Sequence, residues 1–134
     1  MEHITITDSS KQLHVQKSYI DESTFSQVSL QRVAFNDVTL AGSTIVNANL
    51  SDLQVEGAQL GGARFKNIGM PPVGHPFYKE GARQRPVRFE HCDLNGTVFI
   101  ECNLQGAEIN SSDTSGMKTN GILVEDLLKA FHSR

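Results

Sequence analysis

The chain of 134 residues has no tryptophan, only two cysteines, four prolines confined to one short segment, and no long apolar run. Each shortage excludes something. No stretch approaches the roughly 20 apolar residues that span a bilayer. The opening Met-Glu-His-Ile-Thr-Ile-Thr-Asp has neither the basic nor the apolar region of a secretory leader, so a cytoplasmic location and no membrane partner are expected. Two cysteines, Cys92 and Cys102, cannot form a disulfide framework, and their spacing fits no zinc motif. They are expected to be buried reduced thiols that fill space. A formal net charge of −3 gives no basic field for nucleic acid, so no direct nucleic-acid contact is expected. With 38% hydrophobic residues, the chain suits a thin body better than one thick core.

Catalytic constellations are missing too. Ser18, Ser23, Ser43 and Thr97 have no His-Asp arrangement beside them in the sequence pattern. His75 and His91 lack a third ligand or a carboxylate pair. Gly61-Gly62 sits between in-phase repeat positions and is no phosphate cradle. The chain is therefore expected not to be an enzyme and to need no cofactor or metal.

What is present is a period of five. Apolar residues return at Val15, Ile20, Phe25, Leu30, Phe35, Leu40, Ile45, Leu50, Val55, Leu60, Phe65 and Met70. Two residues before each stands a second set, mostly small or apolar, from Leu13 and Ser18 to Ala63 and Ile68. A helix cannot use this pattern, because five steps of about 100° carry the apolar residues around every face. A plain strand fails as well, since an odd period swaps faces at each repeat. The chain must turn one corner per unit, with both marked positions inward. Four units per coil then stack Leu13, Val33 and Leu53 in one column and Ser23, Ser43 and Ala63 in another. Phe25, Phe65 and Phe99 are expected in the core.

Ala48-Asn49-Leu50-Ser51-Asp52, Cys92-Asp93-Leu94-Asn95-Gly96 and Cys102-Asn103-Leu104-Gln105-Gly106 resemble the Ala-(Asp/Asn)-Leu-X-X consensus of pentapeptide repeat proteins. The resemblance covers residues 13–109 less one interruption. It implies an all-β fold, a right-handed quadrilateral β-helix solenoid of about four coils, on the order of 20 Å long at about 4.8 Å per coil. An N-terminal β cap (residues 1–12, from the alternation at Ile4, Ile6, Leu13 and Val15) is expected to cover one end. A first repeat block spans 13–72, an inserted loop 73–86 and a second block 87–114. The C-terminal cap spans 115–134, and Val124, Leu127, Leu128 and Phe131 predict a short capping helix over about 124–132. All 134 residues make one domain on this reading.

The loop is where the chain departs from what its repeat requires. Residues 71–86 hold all four prolines and no periodicity, and the phase resumes with Val87 continuing the Leu13 column. His75, Phe77, Tyr78, Lys79, Arg83 and Arg85 are the candidate contact residues. Aromatics at a loop tip anchor in a partner's pocket, and arginines grip carboxylate or phosphate. The alternative is a solvated loop with Phe77 folded back on the barrel. A non-catalytic module that binds a protein partner, as monomer or homodimer, is the expected function. One branch of the family protects bacterial type II topoisomerases by resembling duplex DNA, so a regulator of DNA gyrase is the alternative. Here about 20 Å of prism would mimic only about six base pairs. An anion or small-ligand site at the loop is the third reading.

Overall fold

The computed structural model describes residues 2–134 and divides the chain into two units, one ending at Gly61 and the other beginning at Gly62. In both, the five-residue period is written into the backbone. A residue with positive φ recurs at every fifth position, always two after the central apolar residue: Lys17, Glu22, Gln27, Arg32, Asp37, Gly42, Asn47, Asp52, Gly57, Gly62 and Asn67. After the loop the series resumes at His91, Gly96, Glu101, Gly106, Ser111 and Gly116. Each is the corner that the odd period demands. Left-handed backbone turns the chain sharply, and Gly, Asn and Asp tolerate it best.

The corners come in two kinds that alternate, each recurring every ten residues. Tight turns follow Ile20, Leu30, Leu40, Leu50, Leu60, Leu94, Leu104 and Thr114, whereas open bends follow Val15, Phe25, Phe35, Ile45, Val55, Phe65, Phe89, Phe99 and Ile109. At the tight turns after Ile20, Leu40, Leu50, Leu94, Leu104 and Thr114 the N–H three residues on donates to the central residue's carbonyl, as from Ser43 to Leu40 and from Ala107 to Leu104, both at 3.0 Å. Positive φ at the third residue of such a turn is the type II geometry.

Side chains brace both kinds. At tight corners the Asp or Asn before the central residue accepts the N–H of the residue after it: Asn49 from Ser51, Asp93 from Asn95 and Asn103 from Gln105, each at 3.0 Å. This bond explains the Asx-Leu pairs physically, since the short side chain closes a local turn just ahead of the corner. At several open corners the next residue reaches back across the bend. Ser18 Oγ donates to the Gln16 carbonyl at 2.8 Å, Cys92 Sγ to Glu90 at 3.3 Å, Cys102 Sγ to Ile100 at 3.5 Å and Ser112 Oγ to Asn110 at 2.8 Å.

Burial departs from the sequence expectation. No described residue is buried, and Phe25, Phe65 and Phe99 are 56%, 69% and 58% exposed. Cys92 and Cys102 are free and exposed, their thiols engaged with backbone carbonyls rather than packed. The physical reason is range. A corner is closed by bonds spanning two or three residues, whereas a ladder between coils pairs residues about twenty apart in a four-unit coil. This structure holds the first and not the second. In the first unit, Val15, Ile20, Phe25, Leu30 and Phe35 are among the residues around one open concavity of about 1250 Å³. Residues 2–12 form no strand for the same reason, because a strand exists only against a paired neighbour.

Among the described residues the strands are β1 (Lys118–Thr119) and β2 (Ile122–Leu123), antiparallel with Lys118 opposite Leu123 and Thr119 opposite Ile122. Asn120 and Gly121, both at positive φ, form the two-residue connection that hairpins favour. The hairpin leads into α1 (Val124–His132), with Glu125 and Asp126 in its first turn and Lys129 and His132 in its last, complementing the helix dipole. Nine residues are marginal as a lone helix. Two bonds tie α1 to the end of the repeats: Val124 N–H to the Met117 carbonyl at 2.9 Å, and Gly116 N–H to Glu125 Oε1 at 3.0 Å. An apolar groove of about 570 Å³ lies there, with Ile109, Met117, Val124, Leu127 and Leu128 along it.

Candidate functional site: the inserted loop

The repeat stops at Met70 for a stereochemical reason. The next corner falls at Pro72, and the pyrrolidine ring holds φ near −65°, on the wrong side of zero. The chain instead makes three successive turns: His75 N–H to the Pro72 carbonyl at 3.0 Å, Tyr78 N–H to His75 at 2.9 Å and Ala82 N–H to Lys79 at 3.2 Å. The residue types fit. Gly74 (φ 92°) and Gly81 (φ 75°) take the third position of the first and last turns, and Pro76 takes the second position of the middle one.

These turns place the sequence candidates as follows. His75 and Phe77 come together, with Phe77 N–H donating to His75 Nδ1 at 3.1 Å and the two rings 5.8 Å apart. Phe77 is 80% exposed, as is Val73 one turn earlier, and Tyr78 is 43% exposed. Lys79 and Arg83 flank the third turn, exposed. Arg85 is exposed and engaged. Just beyond, the Arg88 guanidinium pairs with the Glu90 carboxylate at 2.7 Å.

Eight pentapeptide repeat copies are matched by the family model, over residues 29–67 and 87–113. The chain is a pentapeptide repeat protein. The matched segments stop on either side of the three turns, so the loop belongs to this chain and not to the repeat. No curated protein matches the chain, and no solved structure does. The fold class that goes with the family is the β-helix solenoid.

Charge divides this pentapeptide repeat protein: the repeats are acidic on balance and the loop has the opposite sign, as the sequence shows, and the contrast is sharpest where the loop meets the second block. Residues 79–88 contain Lys79, Arg83, Arg85 and Arg88 against Glu80 alone. Residues 89–117 contain Glu90, Asp93, Glu101, Glu108 and Asp113 and no lysine or arginine. Counting charges segment by segment, rather than over all outward positions, is the signal that finds it. Among the described residues no helix is long and apolar enough to cross a membrane, and no three His, Cys, Asp or Glu side chains are grouped to hold a metal.

Proposed function

We propose that this pentapeptide repeat protein is a non-catalytic interaction module whose repeats serve as scaffold and whose 73–86 loop contacts a protein partner. Four stacked coils, closed by the N-terminal segment and by α1, form the scaffold on this reading. The observation that carries it is the loop backbone, ordered by three successive turns where the matched repeats are interrupted, with Phe77 bonded to His75 within it. An ordered loop loses little further entropy on binding. Arg83 and its neighbours supply the polar rim that aromatic anchors have.

Capture of partners by the full chain, by a chain lacking residues 73–86, and by Phe77→Ala tests the proposal. The expected result is a prey protein retained by the full chain and lost with both variants. A prey retained equally by all three removes the loop from the function.

A second reading has its own observation. The cation-free acidic run over residues 89–117 favours a surface that competes with DNA for bacterial gyrase. Supercoiling and drug-protection assays test it, and charge neutralisation at Glu101 and Glu108 is expected to weaken any effect. No effect at micromolar protein rules it out.

A further inference from the structure

Left-handed backbone forces the Cβ of an L-residue toward the following carbonyl oxygen, so a corner is strained unless Gly, Asn or Asp occupies it. The seven corners from Asp37 to Asn67 are all Gly, Asn or Asp. The four before them, Lys17, Glu22, Gln27 and Arg32, are none of these. Four strained corners have help, one of them in this group. Lys17, His91, Glu101 and Ser111 are each spanned by the next side chain, through Ser18, Cys92, Cys102 and Ser112.

Glu22, Gln27 and Arg32 have none. Residue 28 and residue 33 are valines, which have no donor to reach back with, and Ser23 makes no such side-chain bond. The tight corners among them lack the Asx brace as well, because Tyr19 and Ser29 stand where Asn49 or Asn103 stand in other units. The bond closing the corner at Glu22, Ser23 N–H to the Ile20 carbonyl, is 3.3 Å, longer than its counterparts at Leu40, Leu50, Leu94, Leu104 and Thr114. Residues 18–28 also lie outside the span matched by the family, which begins at residue 29.

We infer that residues 18–32 are a detachable end of the repeat body, opening locally while the repeats from Val33 onward stay closed. This rests on the stacked-coil reading above. Opening relieves three unbraced corners at once and uncovers the backbone edge of the unit that begins at Val33. Local opening of the least supported segment, ahead of global unfolding, is the general behaviour of chains with uneven stability.

Native-state hydrogen exchange on the full chain tests it, read by peptide mass spectrometry. Amides of residues 18–32 are expected to exchange at least tenfold faster than those of 33–67. The triple variant Glu22→Gly, Gln27→Gly, Arg32→Gly is expected to slow them at least fivefold and leave 33–67 unchanged. Equal protection from 18 to 67, or no slowing in the variant, overturns the inference and leaves the stacked coils standing. No protection anywhere in the repeats overturns both.

Discussion

The repeats on the two sides of the loop hold the same corner by different means. Before it, from Asp37 to Asn67, the corner residues themselves accept left-handed backbone, and side-chain bracing is sparse: Asn49 at 3.0 Å and Thr39 at a long 3.5 Å. After it, permissive and strained corners alternate, Gly96, Gly106 and Gly116 against His91, Glu101 and Ser111. There every tight unit has an Asx brace, through Asp93, Asn103 and Asp113, and every strained corner is spanned by a thiol or hydroxyl. Residues 37–67 rely on backbone tolerance, and the second block adds side-chain hydrogen bonds to it. The difference teaches that a five-residue unit must satisfy its corner, and that the consensus positions are two routes to one end.

The largest test strikes the backbone route where it must work. Gly106→Val is expected to lower the unfolding free energy by about 2 kcal/mol in chemical denaturation. A Cβ there meets nothing within 4 Å, so the loss is backbone strain and not a clash. Gly106→Asn, which tolerates the same φ, is expected to cost less than half as much. Equal losses for Val and Asn would show that the corner conformation is not what Gly106 supplies.

Next in size is the Asx brace. Asn103→Ala is expected to cost about 1 kcal/mol and Asn49→Ala about half that, although both bonds are 3.0 Å. Asn103 lies between strained Glu101 and Gly106, while Asn49 lies between permissive Asn47 and Asp52. Equal costs would break the comparison, because bracing would then be independent of corner strain.

How much of this could be read beforehand depended on range. The fivefold series and the stripe Val124, Leu127, Leu128 and Phe131 are local patterns, and the backbone shows a corner in each unit and the helix α1. The identity of the corner residue was also written in the chain, as the Gly, Asn and Asp recurring two places after the apolar residue. So was the two-kind alternation, as Leu exchanging with Phe, Val or Ile every ten residues. Both were overlooked because counting apolar residues averages over them. The loop's turns follow from Gly74, Pro76 and Gly81, but the His75–Phe77 bond depends on a ring reaching two residues along, which composition does not encode. Burial of Phe25 and Cys92 was expected from stacking, the one link that no local pattern supplies.

A smaller test concerns the thiols. Cys92→Ser keeps a donor to the Glu90 carbonyl and is expected to leave stability unchanged or slightly raised, whereas Cys92→Ala is expected to cost about 0.5 kcal/mol. If Ser and Ala behave alike, the thiol fills space and braces nothing, and the second block loses one of its two supports.

The smallest effect is electrostatic and confined to the end of the second block. Asp113 Oδ1 accepts from the Ser115 hydroxyl at 2.6 Å and from the Ser115 N–H at 2.9 Å. The hydroxyl first, then the N–H, hold its carboxyl below the ordinary value of 3.8, because both bonds favour the charged form. A folded-state pKa below the unfolded one gives stability that is fully present above about pH 3.8 and is lost as pH falls through the folded value. The group is fully exposed, so solvent keeps the effect small. An NMR titration of the Asp113 carboxyl reads it directly. Ser115→Ala is expected to move the midpoint back toward 3.8, by more than the loss of any other side chain in the unit. A midpoint that stays put would mean that the hydroxyl bond from Ser115 is not formed in solution, leaving the Ser115 N–H as the one support of the Asp113 carboxylate.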